Sequence, residues 1–160
     1  MIRVIYKSVC DVVSDSPEFF PMLANILSES LNNNIQWGVT GVLAFHEGAF
    51  LQILEGPDAA VDSLFCRIRN DLRHRDVVVL AVASTSVRRF PISSMAYVGV
   101  SSEAAPIFRL LDRPTDLHEA LGAALVDALA ESVSSQSQTL KPDTELGHRQ
   151  VYGLDSTRVR

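Results

Sequence analysis

The segment FLQILEG (residues 50–56) is a strand-like apolar run that carries a single amide side chain, Gln52. A buried amide without hydrogen-bond partners costs roughly 1–3 kcal/mol for each unpaired group, whereas an apolar side chain would pack there without that cost. Gln52 therefore either bonds to backbone at a bulge or an edge, or meets a specific polar partner. A second polar group in a similar setting, Tyr6, and the asparagine run at residues 32–34 favour a specific partner.

The neighbouring segments predict a β-hairpin around this strand. Apolar runs at residues 38–45 and 49–54 are separated by a glycine-containing turn at residues 46–48. The second run is apolar on both faces, as expected of a central strand that is covered on both sides. Upstream, residues 2–8 alternate, so Tyr6 shares a face with Ile2 and Val4 of a first strand.

Two amphipathic segments predict helices. The first begins between residues 16 and 21, after candidate caps at residues 14–16. The asparagines at 32–34 are predicted to end it. Its apolar stripe, with Ile26 at the border, is Leu23, Ala24, Leu27 and Leu31. The second helix is capped by Asp58, and its stripe is Val61, Leu64, Phe65, Ile68 and Leu72.

Two further strands, at residues 77–83 and 95–100, complete the order βαββαββ. Two helices on one face of a mainly antiparallel sheet make a ferredoxin-like α+β sandwich. Residues 1–100 are predicted to form the folded domain, and residues 101–131 a helical cap on the other sheet face. Residues 132–160 are serine-, glutamine- and charge-rich and are predicted to be a linker and a loosely ordered tail.

Composition limits the function classes. The chain has 160 residues, 47% hydrophobic content and a net charge of −5, with no basic face, which argues against nucleic acid as a partner. No apolar run approaches the ~20 residues of a membrane span, and no signal peptide is recognisable. Cys10 and Cys66 have neither disulfide nor metal spacing, which favours a reducing cytoplasm.

Most catalytic chemistry lacks a matching motif. There is no dinucleotide fingerprint or P-loop, no nucleophile elbow and no metal spacing among the four histidines. A polar set on an apolar scaffold remains: Tyr6, Asn34, Gln52, Arg67 and His74. A phenol, amides and a guanidinium suit a planar heteroaromatic ligand with carbonyl and N–H edges. Helix capping by Asn33 and Asn34, and a solvated Arg67, are the alternatives at those positions.

The chain resembles the BLUF family, flavin-binding sensors of blue light, over roughly residues 1–100. The match is carried by YKS at residues 6–8, by Ser30 and Asn34 before GVTGVL at 38–43, and by FLQILEGP at 50–57. It continues with Val61, RI at 67–68, Asp71, RH at 73–74, RRF at 88–90 and Met95.

The resemblance implies a non-covalently bound flavin between the two helices, most commonly FAD, with FMN or riboflavin also possible. Ile26 and Ile68 would flank the ring system. Asn34 would bond the ring's carbonyl and N–H edge, with Asn33 and Arg67 near the other pyrimidine carbonyl.

The same resemblance implies the photochemical residues. Tyr6 and Gln52 would be the photoactive pair, with Met95 beside them, and Arg73 and His74 would lie toward the ribityl and phosphate side. In the family's usual account, light drives an electron and a proton from the tyrosine through the glutamine. The amide is left rotated or tautomerised, with a new hydrogen bond to the flavin.

Two positions depart from the family pattern. Leu31 stands where many relatives have an arginine, and Ser93 stands where relatives often have a tryptophan two residues before Met95. Because Tyr6 is retained, the primary donor is unaffected. The missing tryptophan puts in doubt how a light-induced change reaches the last strand. Trp37 is interpreted as a packing or surface residue.

These observations predict a stand-alone photoreceptor, not an enzyme, that acts as a homo-oligomer. Light is predicted to alter the C-terminal helical cap or an oligomer interface, and so the affinity for an unidentified effector protein. The alternative is a light-inert ferredoxin-like interaction module that still binds flavin. An enzyme such as an acylphosphatase on the same fold is a third reading, but its glycine-rich phosphate cradle is not evident.

Overall fold

A five-stranded mixed sheet forms the centre of the protein. The computed structural model describes residues 1–99, 105–109, 111 and 118–139. The strands are β1 (Ile2–Cys10), β2 (Thr40–His46), β3 (Ala49–Gly56), β4 (His74–Ser84) and β5 (Ala96–Val98). The sheet order is β4-β1-β3-β2-β5, with β5 parallel to β2 and the other neighbours antiparallel. The predicted ferredoxin-like sandwich is confirmed.

The helices are α1 (Phe19–Trp37), α2 (Asp58–Arg69), α3 (Ala105–Arg109) and α4 (His118–Thr139). The prediction that the asparagine run ends α1 was wrong, because the helix continues to Trp37. It stops at Gly38, whose φ of 62° lies in the left-handed region that glycine adopts without a Cβ penalty. The predicted side-chain caps are also absent, since Glu18 is the N-cap of α1 and Pro57 that of α2.

The core-facing residues predicted for α1 from sequence were only partly correct. Leu23 is buried, but Ala24 and Leu31 are exposed, and the buried positions include Phe19 and Asn34 instead. In α2, Val61 and Leu64 are buried as predicted, with Phe65 and Ile68 half-buried beside them. Leu72 lies beyond the end of α2 and is 91% exposed, so its assignment to the stripe was wrong.

Side chains alternate between two cores, one on each face of the sheet. The first core contains Val4, Tyr6 and Leu54 from the strands and packs under α1 and α2. The second contains Ile5, Leu51 and Ile53 and packs under α3 and α4. The two-residue period of a strand produces this division, which confirms the face predicted for Tyr6 in β1 and the two covered faces predicted for β3.

The C-terminal helices cover the second face, as predicted. Leu125 and Leu129 of α4 are fully buried in the second core. At Gly122 the helix comes so close to the sheet that a Cβ would lie 3.2 Å from the Cβ of Ala81. Residues 132–139, predicted to be a linker, continue α4, while the predicted tail at residues 140–160 lies outside the described residues.

Candidate functional site

A cleft opens between α1 and α2 above the first face of the sheet, with a cavity volume of about 200 Å³. Every residue that the sequence assigned to cofactor binding or photochemistry lines it, although their roles remain predictions. These residues are Tyr6, Ile26, Asn33, Asn34, Gln52, Arg67, Ile68, Arg73, His74 and Met95. Ile26 comes from α1 and Ile68 from α2, so the two helices supply the apolar walls.

The floor of the cleft is formed by a pair of hydrogen-bonded polar side chains. Tyr6 on β1 lies directly opposite Gln52 on β3, and both are almost completely buried. The Tyr6 hydroxyl donates to Oε1 of Gln52. Because the pair is set by strand register, both side chains must point into the same face of the sheet.

The other end of the Gln52 amide has a weak partner. Its Nε2 group donates to the Sδ atom of Met95 at 3.4 Å. A thioether sulfur is a weak acceptor, whereas a buried amide gains most from an oxygen or nitrogen acceptor. Gln52 is therefore anchored firmly on the Tyr6 side and loosely on the side of Met95.

Asn34 presents an unsatisfied acceptor to the same cleft. Its Nδ2 group donates to the Ser94 carbonyl at 2.6 Å, which fixes the amide plane. Its Oδ1 atom is buried without a hydrogen-bond partner among the described residues. An unsatisfied buried acceptor costs about 1–3 kcal/mol. A ligand with an N–H edge would remove that cost, so the residues present fit a flavin.

Burial keeps the Tyr6 phenol neutral. It raises the pKa of the hydroxyl far above its ordinary value, and the negative charge of Asp71 raises it further. The ring packs against Phe65, with 5.2 Å between ring centroids. Tyr6 is therefore protonated over the physiological pH range, and its proton is already directed at the carbonyl oxygen of Gln52.

At the mouth of the cleft, Arg73 joins α1 to the turn before β4. Its guanidinium binds the Asp71 carboxylate, Oδ1 of Asn25 at 3.0 Å and Oε2 of Glu29 at 2.7 Å. The hydrogen bond with Asp71 is the main cause that raises the pKa of Arg73. Arg73 therefore lines the cleft with its donors directed at protein acceptors, and its place on the ribityl and phosphate side of a flavin stays a prediction.

His74 is held in a similar way. Its Nε2 atom lies 2.8 Å from the Ile68 carbonyl and its Nδ1 atom 2.7 Å from the Ser8 hydroxyl. A carbonyl can only accept, so Nε2 donates to it, while the Ser8 hydroxyl can serve Nδ1 as either donor or acceptor. His74 thus ties α2 to β1 and β4 behind the apolar wall.

Arg67 and Asn33 lie on the two sides of the cleft. The Arg67 guanidinium is 5.4 Å from the centre of the Trp37 ring, a cation–π contact across the end of α1. This contact gives Trp37 a packing role, and it holds the exposed Arg67 head over the cleft. Asn33 is half-buried in the helix next to Asn34, and neither is a C-cap.

Several residues that line the cleft were given no role in cofactor binding or photochemistry by the sequence analysis: Ser8, Glu29, Ser30, Leu43, Phe50, Leu64 and Asp71. Some carried a usable signal. Glu29 follows Ile26 by three residues and Asn25 by four, so it lies on the same side of α1. Leu43 lies opposite Gln52 in the hairpin register. Nothing in the sequence indicated that the Ser94 carbonyl would accept a hydrogen bond from Asn34.

The segment from residue 88 to 95 brings Ser94 and Met95 to the cleft, and Glu55 anchors it. The Glu55 carboxylate is fully buried and accepts from Nε of Arg3 at 2.6 Å and from the backbone N–H groups of Arg89 and Phe90 at 2.9 and 3.1 Å. Arg88 donates to Thr40 and to the backbone carbonyls of Gly38 and Glu55. The segment is therefore fixed to β2 and β3.

An α+β sandwich with an apolar cleft, an orphaned amide acceptor and a buried phenol–amide pair is a module that binds a planar cofactor. Residues 1–96 match the family model of BLUF, described as sensors of blue-light using FAD, and the chain belongs to that family. It is therefore a flavin-binding blue-light sensor module. No helix in the described part of the chain is both long and apolar enough to cross a membrane.

Curated relatives share this region with larger proteins. The chain is 39% identical over 69 residues to the photoactivated adenylate cyclase subunit beta of Euglena longa, covering 43% of this chain and 8% of that protein. It is 33% identical over 95 residues to the blue light- and temperature-regulated antirepressor BluF of Escherichia coli (strain K12), covering 59% of this chain and 23% of the relative. The chain thus spans only a small part of these relatives.

Solved structures match over more of the chain. The dark-state structure of BlrB, a BLUF protein, superposes with a TM-score of 0.70 at 28% identity, covering 82% of this chain and 96% of the other. The photo-activated state of BlsA gives a TM-score of 0.69 at 27% identity, covering 81% and 94%. Klebsiella pneumoniae BlrP1 with FMN gives 0.58 at 30% identity, covering 79% and 34%.

Proposed function

We propose that this protein is a blue-light photoreceptor that binds FAD non-covalently in the cleft between α1 and α2. The observation that carries the proposal is the chain of hydrogen bonds from Tyr6 through Gln52 to Met95, next to the orphaned Oδ1 atom of Asn34. Asn34 and Gln52 would bind the polar edge of the ring, with Asn33 and Arg67 beside them. Ile26 and Ile68 would flank its two faces.

When bound, a flavin supplies blue-light absorption and an excited state that accepts an electron. Tyr6 supplies that electron, and its proton leaves along the existing hydrogen bond to Oε1 of Gln52. Proton and electron must leave together, because burial disfavours a charged phenol. Their return to Tyr6 leaves the ring unchanged.

Gln52 carries the lasting change. An amide presents a donor and an acceptor at opposite ends, so rotation or tautomerisation exchanges the two at one site. The low-dielectric pocket makes that exchange energetically significant. The Met95 sulfur opposes it only weakly, and the new arrangement offers the ring edge a hydrogen bond that the dark arrangement lacks.

The FAD assignment follows the family description, while FMN is named with BlrP1 of Klebsiella pneumoniae. The Arg73 and His74 donors are directed at protein acceptors, so this chain's contacts to a phosphate are left open and FMN or riboflavin remain alternatives. Chromatography of the cofactor released on denaturation distinguishes the three. FAD as the bound species agrees with the proposal, and FMN alone contradicts it.

The output is proposed to be a protein–protein contact and not catalysis by this chain. Arg89 on the segment next to the cleft binds Asp127 of α4 at 2.6 Å, so the cleft and α4 are connected through a short piece of chain. A light-regulated adenylyl cyclase matches this chain over only 40% of its own length. The free thiols of Cys10 and Cys66 support a cytoplasmic location.

The deciding experiment is a blue-light difference spectrum of the flavin-loaded protein and of Tyr6→Phe. Wild type should show a small red shift that reverts in the dark. Tyr6→Phe should bind flavin with the same ring packing but show no shift, since it lacks the transferable proton. A normal shift in Tyr6→Phe contradicts the assigned role. A flavin-loaded wild type without any shift supports the alternative, a light-inert interaction module.

A further inference from the structure

Helix α1 has almost no charge on its surface. Of its 19 residues, Glu29 is the one charged side chain, and Arg73 binds it across the cleft mouth. A helix that faces solvent normally carries charged residues on that face. Apart from Glu29, the outer surface of α1 is made of neutral polar and apolar side chains.

Apolar residues form a continuous stripe on that surface, which we call the α1 stripe. Phe20 is 67% exposed, Leu31 42% and Ile35 69%. Ala24 is also exposed and Leu27 half-buried between them. At ~100° per residue these positions fall within about 80° of each other, and Glu29 lies on the opposite side of the helix. Leu31 and Ala24 were assigned to the core from sequence, and the structure turns them outward.

We infer that the α1 stripe is the contact between two copies of this chain, with the two α1 helices antiparallel. The stripe is nearly symmetric about the bond between Leu27 and Ser28. In an antiparallel pair centred there, Phe20 of one copy lies opposite Ile35 of the other, and Ala24 opposite Leu31. Each large side chain of the second pairing meets a small one, which is the arrangement that lets helices pack closely.

A second copy fits this surface because a two-fold contact buries the same patch of both copies against itself, so the patch must be complementary to itself. The α1 stripe meets this condition, since it carries no charge and pairs apolar with apolar side chains. The contact is about 28 Å long, from 19 residues at ~1.5 Å each. A single pair of helices of that length makes a small contact compared with stable protein–protein interfaces, so we expect the dimer to be reversible.

The same helix carries Ile26, Asn33 and Asn34 on the side facing the cleft. A dimer through α1 would therefore share one element with the proposed flavin site. The dimer itself does not depend on photochemistry, because the stripe is a property of the folded chain in the dark.

Sedimentation velocity of the flavin-loaded 160-residue chain over a dilution series tests the proposal. Wild type should form dimers, and Leu31→Lys or Ile35→Lys should weaken them by at least about tenfold, since each would bury an ammonium group against an apolar residue of the other copy, Ala24 or Phe20. The matched control is Val82→Lys, which changes an exposed valine of the edge strand β4 in the same way. It should leave the dimer intact. Retained flavin absorbance shows that each variant is folded.

Disulfide trapping fixes the orientation without relying on the lysine variants. In a Cys66→Ser background, Ser28→Cys should cross-link to its own equivalent, because it lies next to the axis. Phe20→Cys should not, because the two equivalents are about 22 Å apart along the helices. Cross-linking at position 20 but not 28 overturns the antiparallel arrangement. A monomeric wild type, or dissociation by Val82→Lys alone, overturns the interface.

Discussion

Gln52 has unequal partners at its two ends, and this inequality decides what the residue can do. Its carbonyl receives a phenol proton, and its amide donates to a sulfur. If the amide turns round, its NH₂ group faces Tyr6, whose oxygen must then accept. The hydroxyl proton of Tyr6 is thereby released to point elsewhere. A change in one side chain consequently changes the hydrogen bonding of two.

At the same scale, Gln52→Leu should bind flavin and show no light-induced red shift, because leucine has no donor and acceptor to exchange. Difference spectroscopy measures this. The matched control is Met95→Leu, which removes only the weak sulfur acceptor and should keep the shift with an altered dark-recovery rate. A shift in Gln52→Leu, or its loss in Met95→Leu, contradicts this division of roles.

Gln52→Leu alone should also lower the free energy of unfolding. Gln52→Leu leaves the buried Tyr6 hydroxyl without its acceptor, at a cost of about 1–3 kcal/mol. Adding Tyr6→Phe removes both partners and should recover most of that loss in urea unfolding of the flavin-free protein.

At the scale of elements, Asp71 and Arg73 join the turn before β4 to α1. Burial alone would raise the pKa of Asp71, but hydrogen bonds and charge from Arg73, with a contribution from His74, outweigh it and hold that pKa below its ordinary value. A depressed carboxyl pKa stabilises the fold above the unfolded pKa, near 4, and that stability is lost as the pH falls through the folded value. The bond between α1 and the turn should therefore weaken in acid.

Asp71→Asn tests this. Because both side chains are partly exposed, we expect Asp71→Asn to be less stable than wild type by about 1 kcal/mol at pH 7. As the pH falls, the variant should lose less stability than wild type, because it has no carboxylate to protonate. Urea unfolding at several pH values gives both numbers. Asp62→Asn, on the exposed side of α2, is the control and should follow wild type. Parallel pH profiles for wild type and Asp71→Asn would argue against the link.

The close approach of α4 to the sheet at Gly122 gives a second prediction for an element. Gly122→Leu should force α4 away from Ala81 and Ile5 and destabilise the fold by about 1–3 kcal/mol. Ala123→Leu, one residue along and exposed, should be tolerated. Thermal unfolding compares the two. The cleft lies on the other face, so flavin absorbance should survive, and equal stabilities would show that α4 does not pack closely there.

Elements with a strict period were predictable from sequence, whereas those set by distant partners were not. The alternation of β1 predicted the correct face for Tyr6, and the apolar residues on both faces of β3 correctly predicted a strand covered on both sides. In α1, helical spacing placed Leu31 in the core-facing stripe, and the asparagine run was predicted to end the helix. The structure instead exposes Leu31 and buries Asn34, which binds the Ser94 carbonyl, 60 residues away in sequence.

Glu55 shows the same limit. The strand predicted at residues 49–54 stopped before Glu55, yet Glu55 belongs to β3 and is fully buried. Its partners, Arg3 and the backbone of residues 89–90, lie 52 and 34–35 positions away. Composition and periodicity singled out a polar set suited to a planar ligand, and the family resemblance added the flavin and the predicted role of each residue.

At the scale of the whole molecule, the sheet is a single layer shared by two cores. Leu51 and Ile53, on either side of Gln52, are fully buried in the core beneath α4. The strand that carries the amide of the cleft therefore also forms the floor of the opposite face. A change in the cleft need travel only one residue along β3 to reach side chains packed under α4.

That shared strand makes any coupling reciprocal. If illumination strengthens the binding of a partner to the α4 face, the partner must favour the illuminated arrangement of Gln52 by the same free energy. The free-energy gap between the illuminated and dark forms then depends on how much partner is present. The persistence of the illuminated form after a light pulse therefore depends on the partners around the protein as well as on the flavin cleft.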